Sequence, residues 1–269
     1  MTDQKEYVLG TDDLELARLR EQHEVWLEQS RALWERAGFR GLGTLADLGC
    51  GPGYTSLALA DFAGRATRVL AIDESERFIA ALRAHLVGAP ERRVEPRRAR
   101  VEQLGLPRES LDGAYARWLF SWLEEPAAGL AQVARALRPG ARVALHEYLH
   151  WGSFSLLPPR PDFDLAIRAC LASWSGMTID VAAHAADHAA RAGLELEHFE
   201  PIARVGPPGS PVWRWLEDFH RSYLPRLAER GLIGRSEVET VLRAWERHAE
   251  LPGALVLAPT MAAVVLRKP

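Results

Sequence analysis

Two hydrophobic periods divide the chain. From residue 12 to 37, Leu16, Leu19, His23, Trp26, Leu27, Ser30 and Leu33 recur in steps of three and four. That predicts a helix, with Asp12 and Glu15 at capping-box spacing in its first turn. Short apolar runs then take turns with helical ones. Leu45–Leu48, Val69–Ile72, Leu111–Arg117 and Ala141–Tyr148 read as strands. Residues 56–62, the amphipathic run 74–86 with Phe78, Leu82 and Leu86 four apart, and residues 130–137 up to Arg138-Pro139-Gly140 read as helices. Strand and helix in succession point to an α/β fold.

Beyond Tyr148 the alternation stops. Pro158-Pro159-Arg160-Pro161 marks a loop, Phe163, Ile167, Cys170, Leu171 and Trp174 form a helical stripe before Gly176, and residues 180–192 read as a further helix. Residues 194–205 and 260–267 read as strands, with an interval between them too long for a bare loop. Within it Trp213, Leu216, Phe219, Tyr223 and Leu224, then Val238, Leu242 and Trp245, predict cap helices parted by Gly231–Gly234. The expected organisation is an N-terminal helical lid (1–39), a core (40–148), cap helices (149–192), a core strand (193–205), a helical insertion forming a substrate lid or dimer surface (206–257), and a last core strand (258–269).

Composition changes this picture little. A net charge of −3 over 269 residues gives no global pull toward nucleic acid or an anionic membrane. Arg92, Arg93, Arg97, Arg98 and Arg100 cluster without interleaved aromatics, so they read as a solvated edge. No apolar run suits a signal peptide or a membrane span, and a cytoplasmic protein is expected. Cys50 and Cys170 are expected as free thiols, and the spaced pair His184 and His188 lacks the H-E-x-x-H pattern of a metal site.

The chemistry concentrates in Asp47-Leu48-Gly49-Cys50-Gly51-Pro52-Gly53, between a strand end and a helix start. Bare glycines let a nucleotide-like cofactor approach the backbone. The G-x-G-x-G spacing is shorter than the dinucleotide fingerprint, and Asp47 would repel a pyrophosphate but attract an ammonium or sulfonium. Asp73, ending the next strand, is placed to accept hydrogen bonds from ribose hydroxyls.

On these residues the stretch from about 40 to 148 resembles the class I methyltransferases that use S-adenosyl-L-methionine (SAM), most closely the small-molecule group related to the ubiquinone and menaquinone C-methyltransferases. The resemblance implies a Rossmann-like sandwich with a seven-stranded, mostly parallel sheet, one antiparallel strand and helical cap or lid insertions. It implies SAM as cofactor, S-adenosyl-L-homocysteine (SAH) as product, and admits a homodimer. Cofactor contacts would come from Tyr7, Gln22, Asp47, Gly49, Gly51, Gly53, Asp73, Glu74, Val101, Glu102 and Arg117. Arg100 stands where the family has an acid beside the adenine edge. Trp118, Trp122, Tyr148, Trp151 and Trp174 are substrate candidates, and Glu147, His150 and His23 are candidate bases.

No acidic cluster of the magnesium-dependent kind is present, so metal-independent methylation of an oxygen, carbon or nitrogen of a small apolar or aromatic compound of secondary metabolism is expected. An alternative is a SAM-binding protein that catalyses cyclisation or rearrangement. An RNA methyltransferase and an NAD-dependent oxidoreductase are weaker readings. Because the methyl donor loses its charge in an in-line displacement, the protein would mainly align and desolvate the reactants.

Overall fold

The strands carry their apolar side chains on both faces, and the sheet they form is accordingly covered on both. The structure, a computed structural model, describes residues 13–88 and 91–269. The core elements are α1 (Asp13–Arg36), β1 (Thr44–Leu48), α2 (Tyr54–Ala63), β2 (Arg68–Asp73), α3 (Glu76–Val87), β3 (Val94–Arg98), β4 (Leu111–Arg117), α4 (Pro126–Ala136) and β5 (Leu137–His150). After β6 (Ser155–Leu157) and α5 (Asp162–Ser173) come α6 (Ala185–Arg191), β7 (Glu195–Ile202), β8 (Val205–Gly206), α7 (Pro211–Glu229), α8 (Arg235–Ala249), β9 (Leu255–Leu257) and β10 (Thr260–Arg267).

Seven strands form one sheet in the order β3-β2-β1-β4-β5-β10-β7. Its first five strands pair in parallel, and β10 runs antiparallel to both β5 and β7. The expected sheet, mostly parallel with one reversed strand, is therefore present. Alternate residues serve opposite faces. Leu45, Val69, Tyr115, Ala144 and Val265 pack with Trp34, Leu59, Ile79 and Leu82 of the first three helices. Ala46, Leu70, Ala114, Val143 and Val264 pack with Leu130 and Val133 of α4 and Ala185 and Ala189 of α6.

The second half differs from the sequence reading in detail. The strand expected over 194–205 stops at Ile202, and Val205–Gly206 joins β6 and β9 in a separate antiparallel sheet of order β6-β9-β8. Each of those strands is two or three residues long, too short to give a readable period. The helix expected over 180–192 opens as a tight turn (Val181–His184) before α6. Ser75 caps α3 by accepting from the Phe78 amide at 3.3 Å, and Ser210 caps α7 by accepting from Trp213 at 3.2 Å. Asp12 lies outside the described residues, and Glu15, expected in a cap, forms a bidentate pair with Arg18 at 2.6 and 2.7 Å.

The cap has its own core. Phe154, Phe163, Trp213, Tyr223 and Trp245 pack together and join Trp26 of α1, Trp118 after β4 and Tyr148 of β5. It thus covers the carboxyl ends of the central strands, where open α/β sheets bind ligands. The arginine cluster is largely engaged, with Arg92 on Asp61, Arg98 on Glu76, and Arg100 on Glu74 and Glu102. No helix among the described residues is long and apolar enough to cross a membrane.

Candidate active site

The glycine loop links β1 to α2, and its three glycines differ in surroundings. All have positive φ, at 64°, 53° and 89° for Gly49, Gly51 and Gly53. A Cβ at Gly49 would lie 3.0 Å from Leu119, and one at Gly53 would lie 2.2 Å from Leu82. At Gly51 it would meet nothing within 4 Å. The backbone is therefore packed at both ends of the loop and open at its middle, a cradle that a ligand can enter.

Asp73 holds that middle, accepting from the Gly51 amide and the Ser75 amide at 2.8 Å each. Asp47 turns inward instead of facing a ligand. It is buried, accepts from Ser56 Oγ at 2.6 Å, and burial pushes its carboxyl up to about 7. Glu74 and Glu102 grip Arg100 from two sides at 3.4 and 3.0 Å, beside the buried Val101. Tyr7 lies outside the described residues.

At the end of β4 a polar cluster borders the loop. Arg117 is half-buried and donates to Thr55 Oγ1 at 3.2 Å and Ser30 Oγ at 3.4 Å, and its guanidinium stands 5.2 Å from the Trp118 ring centre. Among the described residues it pairs with no carboxylate. His23 Nδ1 lies 3.4 Å from Thr55 Oγ1, and burial, then the Arg117 charge, lower its pKa to about 4. Behind them runs a buried chain: Ser30 Oγ donates to the Trp26 carbonyl and lies 3.0 Å from the Tyr115 hydroxyl, which lies 3.1 Å from His146 Nδ1. Burial pushes His146 down to about 3.

The five aromatic substrate candidates come together. Trp118, Trp122, Tyr148, Trp151 and Trp174 line one cavity with Trp215, Leu216, Phe219, Pro259, Arg18 and Gln22. Trp118 stacks on Tyr148 (5.6 Å, 14°) and on Trp215 (5.7 Å, 10°), and meets Trp26 edge-on at 5.7 Å. Gln22, expected beside the cofactor, lies here, its Oε1 accepting from Arg18 at 2.8 Å and from Trp215 Nε1 at 3.0 Å. The cavity measures about 40 Å³.

None of the three candidate bases lines this cavity: His23 lies beside Thr55 at the loop. Glu147 and Tyr148 point to opposite faces of β5 because successive strand residues alternate. Glu147 is enclosed, accepting from the amides of Leu119, Phe120 and Ser121 and from Ser121 Oγ. His150, at the frayed end of β5, is exposed and 3.7 Å from Asp180. Sequence reasoning missed Trp215 and Arg18. Trp215 sits one turn before Phe219 on the cap helix, and Arg18 shares the Glu15–Gln22 face of α1, but only the docking of α7 on α1 brings them together. The His184 and His188 rings lie 5.9 Å apart, and among the described residues no three side chains are grouped to hold a metal.

This sheet order, with a bare loop after β1 and an acid ending β2, is the fold of the class I methyltransferases. Residues 46–145 match the family described as methyltransferase domain, so the chain carries such a domain there. The chain is 34% identical over 117 residues to the malonyl-[acyl-carrier protein] O-methyltransferase of Methylococcus capsulatus, covering 42% of this chain and 41% of that protein. It is 30% identical over 101 residues to the demethylmenaquinone methyltransferase of Desulfitobacterium hafniense, covering 37% and 40%. The match thus spans about two fifths of the length of each of these relatives. The fold resembles that of the [4+2]-cyclase SpnF with a TM-score of 0.59 and 18% identity, over 90% of this chain and 80% of that one.

Proposed function

We propose that the chain is a SAM-dependent methyltransferase that transfers a methyl group to an oxygen, carbon or nitrogen of a small apolar or aromatic metabolite without a metal. One observation carries this reading: a glycine loop open at Gly51 lies on one side of residues 118–122, and a cavity with five tryptophans lies on the other. SAM, when bound, supplies an electrophilic methyl group on a sulfonium.

The chain's own residues fit such a ligand. Asp73 fixes the loop and its carboxylate is the acceptor for ribose hydroxyls, while Arg117, without a carboxylate partner among the described residues, suits the carboxylate of the methionine portion. Asp47 acts through Ser56 to brace the loop against α2. The indoles exclude water and orient a flat acceptor, which is where most of the rate gain in a displacement that discharges a sulfonium would arise. His23 is the candidate base nearest the loop, 3.4 Å from Thr55 Oγ1, and burial and the Arg117 charge make it a weak one by lowering its pKa to about 4. One of the two relatives, by its name a methyltransferase of demethylmenaquinone, supports a small-molecule acceptor, and the other, by its name, methylates a malonyl group carried on a protein.

A second reading, cyclisation without methyl transfer, is favoured by the cavity lining, which holds no carboxylate or imidazole among the described residues. Incubation with methyl-deuterated SAM and a panel of phenols, quinols and enols separates the two by mass spectrometry. Label in a product supports methyl transfer; a product of unchanged mass, formed only with SAM present, refutes it in favour of cyclisation.

A further inference from the structure

The 118–122 turn belongs to both pockets. Leu119 packs against Gly49 of the glycine loop, while Trp118 and Trp122 wall the aromatic cavity. Trp118 also has a φ of 52°, a left-handed conformation that a bulky side chain adopts only when its surroundings impose it. The imposing contacts come from β5. The Trp118 amide donates to the His146 carbonyl at 2.9 Å, the Tyr148 ring stacks on the indole, and between them the buried Glu147 carboxylate gathers the next three residues. It accepts from Leu119 N at 2.9 Å, Phe120 N at 2.8 Å and Ser121 Oγ at 2.7 Å. Among the described residues no cation pairs with it. A buried carboxylate without a counter-ion is costly for stability, and here its four donors define one backbone path.

We propose that Glu147 is a positioning residue that locks the 118–122 turn, holding the Trp118 platform of the acceptor cavity and the Leu119 backing of the glycine loop in fixed relation. This rests on the reading of those pockets as acceptor and donor sites, and it replaces the expectation of a base at Glu147. A carboxylate already saturated by amide and hydroxyl donors has no lone pair directed at a substrate.

The test compares wild type with Glu147→Ala, Glu147→Gln and Trp118→Phe by near-ultraviolet circular dichroism and by calorimetric titration with SAH. Glu147→Ala is expected to lose the same stacked-indole signal that Trp118→Phe loses and to weaken SAH at least tenfold. Glu147→Gln, which keeps one acceptor for Leu119 and Phe120, is expected to recover most of both. If Glu147→Ala fails to fold, Ser121→Ala removes one donor and is expected to shift the signal the same way in a folded protein. A wild-type signal in the folded Glu147 variants overturns the proposal, as does loss of the signal with SAH affinity unchanged. If wild type itself binds no SAH, the donor reading fails, and the dichroism comparison alone still decides whether Glu147 positions the turn.

Discussion

Alanine at Gly51 and at Gly53 should separate a binding role from a packing role within one loop. Both positions have positive φ, so each substitution costs about 1–2 kcal/mol in backbone strain alone. At Gly51 that is the whole cost, because the new methyl meets nothing within 4 Å. At Gly53 the methyl would stand 2.2 Å from Leu82 Cδ1 and 3.1 Å from Leu82 Cβ, and Leu82 of α3 is fully buried. Overpacking of that kind adds about 1–3 kcal/mol, giving roughly 2–5 kcal/mol in total. Urea denaturation with calorimetric SAH titration reads both quantities. Gly51→Ala should lose about 1–2 kcal/mol of stability and at least tenfold in SAH affinity, since its methyl fills the open cradle. Gly53→Ala should lose roughly twice as much stability or more. Equal stability of the two variants, or SAH binding by Gly51→Ala at the wild-type level, would refute the assignment of the open side of the loop to a ligand.

Arg117→Gln should weaken SAH by tenfold or more and leave 5′-methylthioadenosine, which lacks the amino-acid carboxylate, unchanged; equal losses for both ligands would make Arg117 merely structural. His146, His23 and His220 are held neutral by burial, with pKa values down to about 3, 4 and 4, so these three sites bind fewer protons in the native state than in the unfolded chain below pH 6.5. Their contribution to stability should therefore fall as pH drops from 6.5, opposed by Asp47 and Glu147, whose raised values near 7 favour the protonated native form over the same range, and by Asp73 and Asp218, which burial also raises. His146→Phe should flatten this acid limb by up to about 1.4 kcal/mol per pH unit, measured by urea denaturation at pH 7 and pH 5; an unchanged limb would contradict it. Trp215→Ala removes a buried indole that stacks on Trp118 and bonds to Gln22, and should cost about 3–5 kcal/mol while widening the cavity. A loss under about 1 kcal/mol would mean that α7 does not seal the cavity.

The core was legible because its signals are local. The Leu45–Gly53 run, the acid ending β2 and the stop at Arg138-Pro139-Gly140 each depend on a few adjacent residues, and a seven-stranded, mostly parallel sheet follows from them by resemblance. The aromatic candidates were legible for a related reason, since Trp118 and Trp151 directly follow β4 and β5, Trp122 lies in the turn after β4, and Tyr148 is near the end of β5. What escaped reading depends on distant partners. Trp215 joins the cavity through a helix that begins 63 residues after Tyr148. Glu147 and His150 look alike in sequence as acids or bases at a strand end, but strand alternation and the amides of residues 119–121 bury one, and the end of the strand exposes the other. Gln22 and Arg18 were assigned or passed over on helix position alone, and the contact of α1 with α7 decides their place.

The measurement closest to the central claim is calorimetric titration of the wild-type protein with SAM, SAH and NADH side by side. Micromolar binding of both sulfur nucleosides with none of NADH is expected from an open Gly51, a loop-fixing Asp73 and an Arg117 that has no carboxylate partner among the described residues. Binding of NADH with no binding of SAM or SAH would contradict the assignment of this loop to a methyl donor.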